Sequence, residues 1–406
     1  MPSSSSLPSP KLHFEDGAVQ FRQRLAVSIL SQKPLLIKNI RADSLSPGLR
    51  PYEISFLRLM DLMTNGSRIE INATGTQVRF LPGILTGGEM EHDCPVGSST
   101  DDDDDDDGNN YDDDSDRLQY RSIGWFLEGI LPLAPFGKND LTITWTGITD
   151  GTCCGVDDPS VDYFKASALP VLGKFGIVAS QDMLENNSGP DIAVLQRGAA
   201  PLGGGKVRFH CPLTRQLAQP LDWTDVGKIK RVRGNAVSCT LVSSSATARV
   251  AYAAKGLLQR LIPDVWIHTD VHTRKQHHCG PSPAVTVHLI AQSTTGTVMT
   301  VEAALQQREL PEDLGTRVAA KLLQEVQYGG CVDTDLQSLA LCYMCLTPED
   351  VSRLRIGRLT PFTIEALRLY KQAWGVEFKL QADEETKTIV LSCVGTGYRN
   401  MARAST

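Results

Sequence analysis

Residues 197–208 read Arg197-Gly-Ala-Ala-Pro-Leu-Gly-Gly-Gly-Lys-Val-Arg208, a proline and three consecutive glycines that lead into a β-strand pattern. Glycine has no Cβ atom, so a ligand or another backbone can approach this loop closely. Arg197, Lys206 and Arg208 surround the glycines, and cations beside exposed backbone N–H groups favour a bound anion. The run therefore predicts an anion site or a tight strand connection. It lacks the GxxxxGK[ST] pattern of a Walker A loop.

The elements around this run recur in a similar order. Helical patterns at 20–30 and 51–63 are followed by strand patterns at 68–72 and 77–81. Helices and strands alternate again over 121–210, where strands are predicted at 141–146, 177–180 and 205–210, and once more over 336–393. This order predicts three copies of one α/β unit, although no repeat is visible at the level of single residues.

A different segment of about 110 residues lies between the second and third copies, at 222–331. Its patterns predict strands at 226–242 and 285–291 and helices at 246–261 and 311–328. We predict a smaller inserted α/β domain there, while 12–221 and 332–398 form the large domain. Its first strand pattern is basic, with Lys228, Lys230, Arg231 and Arg233. In a strand the two lysines would share one face and the two arginines the other, and no aromatic residue lies between them. Both features argue against a single RNA-binding stripe on this strand.

Composition and charge limit the class of protein. The chain has 406 residues, of which 41% are hydrophobic and 21% charged, as is typical of globular proteins. No apolar run approaches the 18 residues of a membrane span, and the N-terminus lacks the apolar core of a secretory signal, so we expect no membrane association.

The composition predicts two disordered segments. Residues 1–11 are rich in serine and proline. Residues 98–117 hold eleven aspartates and no apolar cluster, and without those aspartates the formal net charge changes from −7 to +4. We predict a disordered acidic loop at 98–117, either a tolerated insertion or an electrostatic arm, on a mildly basic body that permits contact with phosphates.

The cysteine and histidine spacings do not favour a metal. Cys342 and Cys345 form the only CxxC among ten cysteines, so we interpret both as reduced core residues of an apolar helix. His277, His278 and Cys279 lack further ligands at regular spacing and are predicted in an exposed loop. A second candidate is the carboxylate pair at 157–158, which suits either Mg²⁺ or a helix cap.

The chain resembles the RNA 3′-terminal phosphate cyclase family. The run at 197–207 is similar to the family's Arg-Gly-x-x-Pro-x-Gly-Gly-Gly signature. Further runs similar to those of the family lie along the chain in the family's order, at 40–50, 80–88, 147–164 and 280–281. The resemblance covers about residues 12–395. It implies three tandem βαβαββ-type repeats that form a large domain, with one smaller inserted α/β domain.

Two departures separate this chain from the cyclases. Where cyclases carry the histidine that accepts AMP, the sequence reads Leu359-Thr-Pro-Phe-Thr-Ile-Glu-Ala-Leu367. Where they carry a glycine-rich nucleotide loop, it reads Phe14-Glu-Asp-Gly-Ala-Val-Gln20. Taking AMP from ATP requires a nucleophile. We therefore predict no catalytic residue, no cofactor and no cyclase activity.

The runs at 329–333 and 359–362 resemble the non-catalytic, cyclase-like nucleolar branch of the family. That resemblance implies a ribosome assembly factor in the nucleus and nucleolus, needed for processing of pre-rRNA to small-subunit rRNA. It implies the early pre-ribosomal particle, the small-subunit processome, with a large nucleolar GTPase as direct partner and pre-rRNA as a contact. We expect a scaffold that is monomeric outside the particle. The alternative is an endoribonuclease that cleaves pre-rRNA at a small-subunit maturation site. A third class, enolpyruvyl transferases, has a similar repeated domain, but the sequence lacks a substrate signature for it.

Candidate contact residues form two groups. The first is a residual anion or RNA cleft: Arg41, Arg50, Arg197, Gly203, Gly204, Gly205, Lys206 and Arg208. The second is Arg368 and Lys371, which are three residues apart on a predicted helix at 363–374 and therefore share a face. They would contact a protein partner or RNA, polarise the scissile phosphate of an endonuclease, or be solvated.

Overall fold

The computed structural model describes residues 11–97, 119–151, 158–177, 189–240, 244–273 and 279–403. The predicted acidic loop, nearly all of the Ser/Pro-rich N-terminal segment, Asp157, His277 and His278 lie outside these described residues.

The first repeat is a four-stranded sheet with two helices. Its elements are β1 (Leu12–Phe14), α1 (Phe21–Ser31), β2 (Leu35–Ile37), α2 (Pro51–Met63), β3 (Thr64–Asn65), β4 (Arg68–Ile71), β5 (Val78–Leu81) and β6 (Ile84–Leu85). The sheet order is β1-β2-β5-β4, with a parallel first pair and antiparallel pairs after it, while β3 and β6 form a separate ribbon. α2 has the predicted bounds because Pro51 suits its first turn and the Glu53 carboxylate accepts the Arg50 N–H at 2.8 Å.

The second repeat has the same strand pattern. Its elements are β7 (Gly88–Asp93), α3 (Ile123–Ile130), β8 (Leu141–Gly147), α4 (Val161–Tyr163), a π-helical turn (Phe164–Ala168), α5 (Leu169–Lys174), β9 (Asp191–Gln196) and β10 (Gly205–Cys211). The sheet order is β7-β8-β10-β9, again with one parallel pair at the edge. The strand predicted at 177–180 falls almost wholly outside the described residues, and β9 pairs with β10 instead.

After β11 (Asp222–Trp223) the chain enters the inserted unit. Its elements are β12 (Ile229–Cys239), α6 (Ser244–Leu258), β13 (Val265–His272), β14 (Ala284–Ser293), β15 (Val298–Ala304) and α7 (Pro311–Tyr328). The sheet order is β13-β12-β14-β15. Here the edge strand of the parallel pair, β13, comes second in the chain, whereas in each repeat the edge strand of that pair comes first. The structure adds β13 and β15 to the two strands that the sequence predicted.

The third repeat closes the fold. Its remaining elements are α8 (Gln337–Leu346), β16 (Val351–Ile356), α9 (Pro361–Trp374), β17 (Lys379–Asp383) and β18 (Thr388–Val394). The sheet order β11-β16-β18-β17 repeats the pattern of the first two sheets, with one parallel pair followed by antiparallel pairs. The predicted α/β class with three repeats and an inserted unit is therefore confirmed.

Two large hydrophobic cores hold the described part of the chain together. One runs through the three repeats, from Leu12 to Trp223 and from Cys331 to Cys393, and the other lies within the inserted unit between Val232 and Leu322. The predicted domain bounds of 12–221, 332–398 and 222–331 stay a prediction, with which these cores are compatible.

Helix α8 is buried along its whole length. Cys342 and Cys345 are accordingly core residues, as predicted, and burial raises the pKa of Cys342 to about 12. Within the described ranges, no helix combines the length and apolar character needed to cross a bilayer.

Candidate functional site: the cleft between the repeats and the inserted unit

A cleft of about 510 Å³ lies between the repeats and the inserted unit. Helices α1 and α3 and the start of α4 contribute one wall, and β15 and α7 contribute the facing wall. We call this space the inter-unit cleft. Its charged lining residues are Arg22, Arg121, Glu128, Asp158, Glu302, Lys321, Glu325, Asp333, Asp335 and Arg358.

Buried ion pairs form the wall on the side of the repeats. Arg121 lies 2.6 Å from Asp158, and Arg22 lies 2.7 Å from Glu128. Burial raises the Asp158 pKa even though the Arg121 charge opposes that change. Asp158 also accepts the N–H of Ser122, the N-cap residue of α3, at 3.2 Å. Asp158 is therefore a counter-ion and a partial cap of α3.

The facing wall contains a carboxyl group that joins the two units. Glu302 on β15 accepts the backbone N–H of Ser160 at 2.6 Å and also accepts the Ser160 hydroxyl. Ser160 is the N-cap residue of α4, so the carboxyl group lies at a helix start. Burial raises the Glu302 pKa to about 8. This carboxyl group is consequently protonated in much of the population at neutral pH.

A second carboxyl group with a high pKa lies at the floor of the cleft. The Tyr163 hydroxyl donates to Asp333 at 2.6 Å, and the Leu336 N–H donates to the same oxygen at 3.2 Å. Burial raises the Asp333 pKa to about 8, and the nearby Asp335 charge adds to that change. With Glu302 and Asp333 protonated, the four cations and six carboxyl groups of the lining nearly balance.

The end of the cleft at α9 carries no catalytic pair among the described residues. Thr360 is the N-cap residue of α9 and accepts the Thr363 N–H at 3.0 Å, and Phe362 lines the cleft beside it. Neither histidine nor cysteine is among the described residues that line the cleft.

The predicted anion residues do not form one cluster with this cleft. Arg41 makes a two-pronged contact with Glu53, at 2.8 and 2.6 Å, and donates to the Gly48 carbonyl at 3.0 Å. Arg50 is buried at the start of α2, where its backbone N–H donates to Glu53. Both arginines therefore organise the turn that precedes α2.

Arg197 is a buried counter-ion in the second repeat. Its guanidinium contacts both carboxylate oxygens of Asp162, and it lies 3.5 Å from Asp150. Burial raises the Asp150 pKa to about 6. At Asp162 burial acts in the same direction, but the charge and the hydrogen bonds of Arg197, with smaller contributions from other cations, together outweigh it and lower the pKa. An added anion would have to compete with these carboxylates for Arg197.

The three glycines allow a close contact with the inserted unit. A Cβ atom on Gly280 would lie 1.9 Å from the Gly203 carbonyl oxygen, and one on Gly204 would lie 3.0 Å from the Gly280 Cα atom. The Gly203 N–H already donates to the Ala199 carbonyl at 2.8 Å. The structure thus favours the tight connection, while anion binding by Gly203, Gly204 and Gly205 stays a prediction.

Lys206 and Arg208 lie on the exposed face of β10. Their partners across β8 are Thr146 and Thr144, whereas Val207 between them is buried. The two cations are therefore on the outer surface of the second sheet, unlike the buried Arg197. The predicted first group is divided among a turn, a buried ion pair and this outer surface.

Arg368 and Lys371 share the exposed face of α9, as their spacing predicted. Their side chains are 71% and 65% exposed, and they contact Glu365 and Glu377 respectively. Hydrogen bonding from Lys371 lowers the Glu377 pKa. Their role in contacting a partner or RNA stays a prediction.

Sequence reasoning missed Glu302, Asp333 and Arg121 as residues of the cleft. Each pairs with a residue distant in sequence, so no local pattern indicates the contact. Within the described ranges, no group of three metal-ligating side chains comes together. Cys279 is buried beside Thr240 and does not lie in the exposed loop that the sequence predicted.

The repeats, the inserted unit and the inter-unit cleft define the class: an α/β protein of three repeats with one inserted unit. A family model for RNA 3′-terminal phosphate cyclase matches residues 13–380. The chain therefore belongs to the RNA 3′-terminal phosphate cyclase family.

Curated relatives match nearly the whole chain. A probable RNA 3′-terminal phosphate cyclase-like protein of Dictyostelium discoideum is 41% identical, covering 96% of this chain and 98% of its own. The RNA 3′-terminal phosphate cyclase-like protein of Homo sapiens is 41% identical, with 95% and 96% covered. The rRNA processing protein rcl1 of Schizosaccharomyces pombe is 36% identical, with the same coverage. These relatives confirm the resemblance to the cyclase-like branch.

Proposed function

We propose that this chain is a non-catalytic factor in ribosomal RNA processing, needed to mature small-subunit rRNA within an early pre-ribosomal particle. A relative that is 36% identical over 95% of the chain carries rRNA processing in its name. Similarity over nearly the full length supports transfer of that role, because both the repeats and the inserted unit are shared.

The observation that carries the non-catalytic part is the charge pairing in the inter-unit cleft. Arg121 and Arg22 contact Asp158 and Glu128, and Glu302 accepts hydrogen bonds from Ser160. Phe362 lies at the start of α9, where cyclases carry their nucleophile. A cleft with this lining holds the two units together, and the residue at the start of α9 is a phenylalanine, which cannot accept AMP.

The outer surface near α9 suits a protein partner. Val19, Phe362 and Ile364 are exposed apolar residues there, and Gln20 donates to the Phe362 carbonyl at 2.6 Å. Arg368 and Lys371 lie on the same helix. Apolar residues bordered by charges are typical of protein interfaces. We propose that this surface contacts a large nucleolar GTPase in the small-subunit processome, and that the chain is a nucleolar monomer outside the particle.

The endoribonuclease alternative requires acid–base groups beside the scissile phosphate. Arg368 and Lys371 could stabilise a phosphate, but their neighbours Glu365 and Glu377 are carboxylates on an open surface. Because Lys371 lowers the Glu377 pKa, that group stays ionised near pH 7 and is a poor general acid. The geometry therefore supports the assembly factor better.

The test is replacement of the endogenous relative in eukaryotic cells. Cells depleted of that relative would express the wild type or an α9 surface variant, Phe362→Ser with Ile364→Ser, and mature small-subunit rRNA would be measured. We expect the wild type to restore the rRNA and to co-sediment with pre-ribosomes. The α9 variant should lose both while its melting temperature is unchanged. Failure of the wild type to enter pre-ribosomes would overturn the proposal.

A further inference from the structure

The sheet of the inserted unit has one face that, among the described residues, neither α6 nor α7 covers. Helices α6 and α7 cover its other face, where Val232, Leu289 and Val301 enter the core. Side chains of the uncovered face alternate with these residues along each strand. We call this uncovered surface the open sheet face.

Two rows of side chains cross this face from the free edge at β13 to the edge at β15. The first row is Trp266, Arg233, Ile290 and Thr300, and the second is His268, Asn235, His288 and Glu302. The β15 end is packed against the repeats, where Thr300 is 2% exposed and Glu302 contacts Ser160. The β13 end is open, and Trp266 there is 56% exposed. The open sheet face therefore extends from the inter-unit cleft at β15 to a solvent-exposed edge at β13.

The exposed end of the open sheet face presents two neighbouring aromatic rings. Trp266 and His268 have ring centroids 5.7 Å apart with planes inclined by 60°. Of the other four tryptophans, Trp125, Trp145 and Trp223 are buried and Trp374 is partly buried, so Trp266 is exposed in spite of the general tendency of tryptophan to pack. An exposed aromatic ring on a β-sheet is a platform on which a nucleic-acid base stacks.

Basic residues border these rings. Arg231 and Arg233 lie on the open face, and the exposed Lys228 and Lys230 lie at the start of β12. Arg233 contacts Asp264 at 2.9 and 2.8 Å. Lys228, Lys230 and Arg231 have no carboxylate partner within ion-pair distance among the described residues.

Polar groups occupy the remaining positions of the face. Gln292 accepts a hydrogen bond from Arg231, and the Asn235 amide donates to Asp270 at 3.2 Å. Among the described residues, Ile290 lies between these polar groups and Val298 lies opposite Gln292, so the apolar side chains do not form one continuous patch. Asp264 and Asp270 balance the two arginines of this face, and the exposed lysines at the start of β12 add positive charge at its border. Together with the exposed ring and the amide groups, these charges complement a phosphate backbone with unpaired bases.

We propose that the open sheet face binds single-stranded RNA, with a base stacked on Trp266 and an adjoining phosphate at Arg231. The inference rests on the proposed function in rRNA processing, because it names the surface by which the chain would hold its RNA. It uses residues of the inserted unit that lie outside the α9 surface proposed for the protein partner.

Binding to a fluorescein-labelled 12-nucleotide single-stranded RNA tests the proposal on the full chain. We expect Trp266→Ala to raise Kd about tenfold, as for loss of one stacked base, while Trp266→Phe retains most of the affinity. Arg231→Gln should weaken binding and reduce its salt dependence. Tyr252→Ala is the matched control, because Tyr252 is 82% exposed on α6 at the covered side of the sheet. Arg260→Gln, after α6, is the charge control.

Tryptophan fluorescence gives a second, local readout. RNA should quench the tryptophan emission of the wild type and leave that of Trp266→Phe almost unchanged, since the remaining tryptophans do not lie on the open sheet face. Equal affinities of wild type and Trp266→Ala would overturn the inference. The inference would also be overturned if Trp266→Ala kept its RNA affinity but no longer co-sedimented with pre-ribosomes, because those two results would make the open sheet face a protein-binding surface. Either outcome leaves the proposed function standing if the wild type still restores rRNA processing.

Discussion

Glu302 of the inserted unit accepts both the backbone N–H and the hydroxyl of Ser160, the N-cap residue of α4 in the second repeat. The two residues are separated by 142 positions in the chain, and their contact joins the two walls of the inter-unit cleft. Hydrogen bonds between polar groups of the cleft therefore hold its two walls together. This arrangement fits a structural platform better than a substrate pocket.

The contact should make stability depend on pH. The Glu302 pKa is raised from 4.5 to about 8, so the folded state favours the protonated group. The stabilising effect is complete below about pH 4.5 and is lost as the pH rises through 8. Glu302→Gln keeps an acceptor but does not titrate. The difference in melting temperature between Glu302→Gln and the wild type should therefore change by about 2–4 °C in favour of the variant as the pH rises from 6 to 8.5.

Glu309→Gln is the control for that series. Arg317 lowers the Glu309 pKa through a hydrogen bond, so this carboxylate stays charged over the same range. Its difference in melting temperature from the wild type should be constant between pH 6 and 8.5. An equally constant difference for Glu302→Gln would show that Glu302 does not titrate as proposed.

The close approach of two glycine loops predicts a strong effect of one methyl group. Gly280→Ala would place a Cβ atom 1.9 Å from the Gly203 carbonyl, so the backbone must move. We expect a loss of about 1–3 kcal/mol in the free energy of unfolding, measured in urea. Gly256→Ala lies in α6 with open space around it and should be neutral or stabilising by up to about 1 kcal/mol. Similar values for both variants would argue against the close contact.

The buried position of Arg197 predicts that its removal is costly. Arg197→Met leaves Asp162 and Asp150 without their counter-ion, and we expect a loss of about 3–5 kcal/mol in unfolding free energy. Asp162→Asn in the same chain removes one of the stranded charges and should recover part of that loss. If Arg197→Met were neutral and only weakened binding of phosphate or RNA, Arg197 would be a ligand residue.

The sequence predicts the long periodic elements well and the short or exposed ones poorly. α2 and α7 have their predicted bounds because proline begins each helix and apolar residues recur with helical spacing. β13 reads VWIHTDVH and lies at a free edge with most side chains exposed, so its apolar pattern is weak. β11 has two residues and is a strand only because β16 lies beside it.

The cleft was harder to predict than the fold. The glycine run at 203–205 marks the family, yet its physical role is contact with Gly280, which lies in another unit. The aromatic residue missing from the basic strand β12 is supplied by β13, whose Trp266 lies opposite Arg233. Such relationships arise from register between strands, which a single sequence does not specify.

The most direct measurement is a cleavage assay on a short pre-rRNA that spans a small-subunit maturation site. Purified wild type is compared with Arg368→Ala/Lys371→Ala, and capture of the proposed GTPase partner is measured with the same preparations. We predict that neither protein cleaves the RNA and that the variant captures less GTPase, since both residues are more than half exposed on α9. Site-specific cleavage by the wild type, lost in a variant that still captures the GTPase, would contradict the account and make the chain an endoribonuclease.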